Sequence, residues 1–132
     1  MKNKYIVRPY EGFDEILFDE TRDAVRKKLG EYKEFRKNKF SENTLDAYED
    51  FHFNYDKLNK LEAVEFFEGE IYFENEKLFP NSKNEFIAVL SRFDKAFQQG
   101  DDLIKSEVLG ITAYIPEEKV ETLLIHKRGY YS

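Results

Sequence analysis

The residues best suited to chemistry lie in one short segment, where His52, Asn54 and Asp56 alternate with aromatic residues. If this segment is a strand, the three polar side chains share one face at a spacing of about 7 Å. An imidazole beside a carboxylate could transfer protons or bind a metal ion, but either role needs a further ligand or a nucleophile. We therefore interpret the segment as the polar face of a sheet and predict no catalytic residue and no metal ligand.

The chain lacks the compact motifs of common catalytic sites. It has no Gly-x-Ser-x-Gly, Gly-x-x-x-x-Gly-Lys, Gly-x-Gly-x-x-Gly or His-Glu-x-x-His sequence. With no cysteine and two histidines, thiolate chemistry is excluded and only carboxylate-rich metal sites remain conceivable. We predict a protein that is not an enzyme and has no cofactor.

The strongest functional signal is the acidity of residues 41–76, which contain eleven Asp and Glu against two Lys. Tyr48, Tyr55 and Tyr72 lie in the same span. Acidic residues together with tyrosines are a common composition of protein-binding surfaces. Alternation with apolar residues would gather several of these carboxylates on an exposed sheet face, although an ordinary solvated surface is the alternative. The predicted partner-binding residues are Asp50, Asp56, Glu62, Glu65, Glu68, Glu70, Tyr72 and Glu74.

Net charge limits the kind of partner. The 132 residues sum to a formal charge of −6, which disfavours nucleic acid and anionic membranes and favours a basic protein. Residues 26–39 are locally basic, but Glu31 and Glu34 interrupt them, so we interpret them as a solvated helix end followed by an exposed strand. Without a signal peptide or an apolar run of about 20 residues, the predicted location is the cytoplasm.

Two helices are predicted from their end signals. The first spans residues 20–29, with Asp19 as N-cap and Gly30 as its end. The second begins with a capping box of Ser82 and Glu85, continues as one apolar face to Phe97 and stops at Gly100.

Alternating or β-branched segments predict strands around 51–56, 70–74, 109–115 and 123–125, the last in the middle of a sheet. The predicted fold class is α+β: residues 1–132 form a single domain with one twisted, mostly antiparallel sheet and two helices on one face. The predicted core consists of Val25, Leu29, Phe86, Val89, Leu90, Phe93 and Phe97 against Phe51, Phe53, Ile71, Phe73, Ile111 and Leu124.

Two internal matches suggest a duplication. Residues 15–19 resemble residues 70–74, and Tyr55 with 60–62 matches Tyr114 with 119–121. Chance similarity is the alternative in a chain this rich in Glu, Lys and aromatics. If real, the matches predict two βαββ(β) pseudo-repeats, 13–68 and 69–128.

The small size, lack of cysteine, acidity, tyrosine content and two-helix sheet resemble those of small bacterial immunity proteins, including those of contact-dependent inhibition systems. The resemblance is one of general character and implies an inhibitor that covers a basic toxin surface with carboxylates and aromatic side chains.

Two other functions remain open. One is a small-ligand-binding or enzymatic α+β scaffold with an aromatic cavity. The other is a self-associating structural domain, a homodimer that uses an edge strand or the terminal Tyr130 and Tyr131. Because terminal residues fray unless something holds them, we expect these two tyrosines to dock onto a neighbour, either the same domain or a second subunit.

Overall fold

The computed structural model describes residues 3–131. Its helices are α1 (Arg22–Leu29) and α2 (Lys83–Leu90). Neither is long and apolar enough to cross a membrane. The strands within the described residues are β1 (Lys4–Arg8), β2 (Gly12–Phe13), β3 (Ile16–Leu17), β4 (Lys33–Phe35), β5 (Leu45–Ala47), β6 (Phe51–Tyr55), β7 (Leu61–Phe66), β8 (Glu70–Phe73), β9 (Glu76–Phe79), β10 (Gln98–Gln99), β11 (Leu103–Ser106), β12 (Ile111–Tyr114) and β13 (Thr122–His126).

The α+β class is confirmed, but the strands form two sheets where the sequence predicted one. The larger sheet is antiparallel throughout, in the order β10-β11-β12-β13-β7-β6-β5-β4, and β13 lies near its middle as predicted. The smaller sheet has the order β3-β2-β1-β8-β9, with β1 and β8 parallel. The second sheet arises because residues 4–8, which the sequence analysis did not assign, form the strand that pairs with β8.

Helix α1 begins two residues later than predicted. Its N-cap is Thr21, whose hydroxyl accepts from the backbone N–H of Ala24 at 3.3 Å. The predicted cap, Asp19, lies outside the helix with φ +72° and donates its backbone N–H to the carbonyl of Leu61. Pairing with the start of β7 therefore holds Asp19 out of the first turn.

Helix α2 has the predicted capping box but ends at Leu90, well before Phe97. Ser82 and Glu85 exchange hydrogen bonds of 2.9 and 3.1 Å between side chain and backbone. Beyond Leu90, the buried Asp94 accepts from the backbone N–H of Ala96 and the hydroxyl of Ser106. A buried carboxylate needs such hydrogen-bond partners, so the segment that contains Asp94 does not continue the helix.

A single aromatic core joins the inner face of the larger sheet to both helices and the smaller sheet. Most predicted core residues contribute to it, and Phe13 adds a central ring in contact with Phe51, Phe53 and Phe66. Leu124 is the exception, because its neighbours Leu123 and Ile125 point into the core and it lies on the opposite, outer face.

The order hairpin, helix and four antiparallel strands occurs twice, from β2 to β7 and from β8 to β13. The N-caps Thr21 and Ser82 form matching bridges with Lys60 and Lys119, which are equivalent in the second sequence match. The first match is different, because β3 is the second strand of its hairpin and β8 is the first of the other. Duplication itself stays a prediction.

Candidate functional site

An open groove runs over the outer face of the larger sheet, opposite the aromatic core. The register pairs His52 on β6 with Glu65 on β7, and Glu65 in turn with Leu124 on β13. Side chains alternate along each strand, so burial of Phe51, Phe53 and Tyr55 leaves their polar neighbours on this outer face.

The groove consists of two adjoining cavities of about 270 and 290 Å³ that share Lys37, Leu45, Asn54 and Tyr130. We call this feature the outer groove. The remaining lining residues are Phe35, His52, Glu65 and Leu124 at one end and Ser41, Glu42, Asn43, Thr44, Tyr55 and Glu62 at the other.

Carboxylates dominate the charge of the outer groove. Among the described residues, Glu42, Glu62 and Glu65 line it together with a single lysine, Lys37. Within residues 3–131, no cationic side chain lies within 4.0 Å of any of these three carboxylates. Burial, together with the negative charge of Asp56, raises the pKa of Glu62. The groove is therefore a site where a cation would relieve an electrostatic cost.

Aromatic rings form the walls beside these acids. His52 contacts Phe35 and Phe67 edge-on, at ring centroid distances of 5.2 and 4.8 Å. Burial lowers the pKa of His52, although the charge of Glu65 acts in the opposite direction. His52 is thus neutral near pH 7 and adds no positive charge to the groove.

The C-terminal segment folds back over the sheet and supplies Tyr130 to the groove. The Tyr130 ring stacks on His126 at 5.3 Å, and the Tyr131 hydroxyl lies 3.1 Å from Thr112 Oγ1. Burial, with a further contribution from the charge of Glu62, raises the pKa of Tyr130 to about 12. Tyr130 is therefore a neutral, fixed aromatic surface next to the acids.

The structure brings only two of the predicted partner-binding residues, Glu62 and Glu65, into the groove. Asp50 is buried, and its Oδ2 accepts from the Tyr5 hydroxyl at 2.6 Å and from Asn3 at 2.7 Å. Asp50 therefore stabilises the fold and does not form a free surface.

Asp56 also serves the fold. Its Oδ1 accepts from the backbone N–H groups of Leu58 and Lys60, and Lys127 Nζ lies 3.4 Å from its Oδ2. Burial would raise the pKa of Asp56, but these backbone hydrogen bonds and the nearby Lys127 together outweigh burial, so the pKa is lowered.

The other predicted residues lie elsewhere. Glu70 and Tyr72 are on β8 of the smaller sheet, where the Tyr72 hydroxyl donates to Glu70 at 3.0 Å. Glu74 is in the β8–β9 turn, and the exposed Glu68 lines a different cavity with Lys119 and Glu121. The predicted continuous acidic patch is thus divided, because the chain enters a second sheet after β7.

Sequence reasoning missed Glu42, Lys37, Phe35 and Leu45 as groove residues. They lie at the sheet edge and in the loop between β4 and β5, and no local pattern connects them to β7. The tyrosine pair near the end of the chain did carry a signal, because the docking expected of it occurs. Within residues 3–131, no three histidine, aspartate or glutamate side chains are arranged to hold a metal ion.

No protein-family model, curated protein or solved structure matches the chain.

Proposed function

We propose that the chain is a non-enzymatic protein-binding module whose outer groove receives basic side chains of a partner protein. The observation that supports this function is the set of three groove carboxylates without a cation within 4.0 Å among residues 3–131. Like charges held together destabilise the free protein, and a cationic partner removes that cost.

The chemistry of the groove fits arginine particularly well. A guanidinium can stack on Tyr130 while it donates paired hydrogen bonds to Glu62 or Glu65. Each cavity is near or below the lower end of the range for small-molecule pockets, about 300 Å³, which favours side chains of a larger partner over an enclosed ligand.

Within this class, we propose an immunity or inhibitor protein that acts in the cytoplasm on a basic toxin domain. Acidity, small size and aromatic residues beside carboxylates support this proposal. Self-association through the terminal tyrosines has less support, because Tyr130 and Tyr131 already contact His126 and Thr112 of their own chain.

The test compares two triple variants with the same net charge. The groove variant carries Glu42→Gln, Glu62→Gln and Glu65→Gln. The control variant carries Glu31→Gln, Glu117→Gln and Glu118→Gln, three exposed residues outside the groove. The probe is the C-terminal domain of the protein encoded next to this chain, where a toxin partner is expected, and binding is measured by calorimetry.

We expect the groove variant to lose at least about 100-fold in affinity, since removing one member of a buried charge pair costs about 2–5 kcal/mol. The control variant should change affinity by about threefold or less, mainly through the association rate. If the neighbouring protein does not bind, affinity capture from the native lysate is made with all three proteins. Equal capture by the groove variant, the control and the native chain would contradict the proposal.

A further inference from the structure

A further cavity, of about 310 Å³, lies where the C-terminal segment crosses β11 and the β1–β2 turn. We call it the C-terminal cavity. Its charge is opposite in sign to that of the outer groove, because two basic side chains, Lys105 and Arg128, line it against one carboxylate, Glu107. The lining residues are Tyr10, Lys105, Glu107, His126, Arg128, Gly129, Tyr130 and Tyr131.

Both basic side chains are held over tyrosine rings. Lys105 Nζ lies 3.9 Å from the centre of the Tyr131 ring, and the Arg128 guanidinium carbon lies 4.1 Å from that of Tyr10. Within residues 3–131, neither has a carboxylate within 4.0 Å. In a chain of net charge −6, two cations without a carboxylate partner converge on one cavity.

The cavity wall also contains a buried histidine with an unused nitrogen. His126 is 5% exposed, and its Nδ1 lies 2.9 Å from the backbone carbonyl of Lys127. A carbonyl only accepts, so Nδ1 carries the proton. Nε2, on the other side of the ring, has no hydrogen-bond partner. Burial lowers the pKa of His126, and the charge of Lys105 adds to this effect, so the ring is neutral near pH 7.

We propose that the C-terminal cavity binds a doubly charged oxyanion, such as a phosphate monoester, between Lys105 and Arg128, with His126 Nε2 as the third contact. An anion placed there favours the imidazolium, so one proton from solvent binds to Nε2, which then donates to an anion oxygen.

Tyrosine rings now enclose the imidazole, and the Tyr131 ring, which is 52% exposed, must rotate to admit the anion. The other charged or titratable groups that face His126 or line its cavity are Tyr10, Lys105, Glu107, Arg128, Tyr130 and Tyr131.

This site does not depend on the proposed partner. It shares Tyr130 with the outer groove but none of the groove carboxylates. Failure of anion binding would therefore leave the protein-binding proposal intact, and the reverse also holds.

The chain has two histidines, which makes the test direct. The imidazole NMR signals of His126 and His52 are titrated with acid in sodium sulfate and in sodium chloride of equal ionic strength. Sulfate is the probe because it stays doubly charged while histidine titrates, between about pH 5 and 8. We expect sulfate to raise the pKa of His126 by about 1 unit and to leave that of His52, which faces Glu65, unchanged.

Two double variants separate specific binding from general salt effects. Lys105→Gln with Arg128→Gln should abolish the sulfate-dependent rise, whereas Lys57→Gln with Lys95→Gln, at exposed positions, should retain it. A third variant, His126→Gln, should still bind sulfate, but its affinity for sulfate should not increase as the pH is lowered. The proposal is overturned if sulfate leaves the pKa of His126 unchanged, or if the rise persists in the Lys105 and Arg128 variant.

Discussion

Replacing Asp46 by asparagine should be among the most damaging conservative substitutions in this chain. Asp46 lies on β5 with its side chain fully buried and receives two arginines from α1. Arg26 donates to its two oxygens at 2.7 and 2.8 Å, and Arg22 Nη2 donates at 3.1 Å. Arg22 also binds Asn43 and Thr44, so the network fixes a wall of the outer groove.

The size of the destabilisation depends on which charged side chains lose their counterion. Asp46→Asn leaves Arg22, whose side chain is 8% exposed, without its counterion, and breaking a buried pair costs about 3–5 kcal/mol. Arg26 is 20% exposed and keeps Glu34 as a partner. We therefore expect the free energy of unfolding to fall by about 3 kcal/mol, the lower end of that range. For 132 residues, with an unfolding entropy of about 2.1 cal/mol/K per residue, this lowers Tm by about 10 °C.

The assay is urea and thermal unfolding followed by circular dichroism at neutral pH. Glu34→Gln is the matched control, because Glu34 pairs with the same Arg26 but its side chain is 46% exposed. Such a surface pair contributes about 0–1 kcal/mol. If Asp46→Asn destabilised the protein no more than Glu34→Gln, the reasoning about the buried network would be wrong.

Two further predictions concern the two histidines and the turn at Gly110. The free energy of unfolding should fall between about pH 7 and pH 5, because the lowered pKa values of His52 and His126 make the unfolded chain bind more protons than the folded one. Urea titrations should show a smaller fall for His126→Phe, and an unchanged fall would contradict this origin. Gly110→Ala should cost about 1–2 kcal/mol, because φ is +65° and the new Cβ would lie 2.9 Å from the Tyr10 ring. Part of this loss should disappear when Gly110→Ala is made in a Tyr10→Ala background, and a full loss there would exclude the ring contact as its cause.

Local signals in the sequence were reliable where neighbouring residues decide the structure. The alternation of residues 51–55 correctly predicted a strand with an aromatic inner face, because side chains of a strand alternate between faces. The capping box of Ser82 and Glu85 was found because both partners lie within one turn. The predicted start of α1 and the predicted end of α2 were less accurate, because Asp19 and Asp94 form hydrogen bonds with distant residues, Leu61 and Ser106.

By itself, the sequence determined the α+β class, the aromatic core, the start of α2 and the excess of acid in residues 41–76. Only the tertiary structure decided which acids act together. Glu62 and Glu65 line the same groove as Glu42 and Tyr130 because β7 lies between β6 and β13 and the C-terminal segment folds back over them. Asp50 is buried and bonded to Tyr5, and the partly exposed Asp56 is engaged by the β6–β7 turn, so neither lines the groove. Such contacts depend on strand order and register between residues far apart in the chain, and spacing along the sequence does not specify either of these.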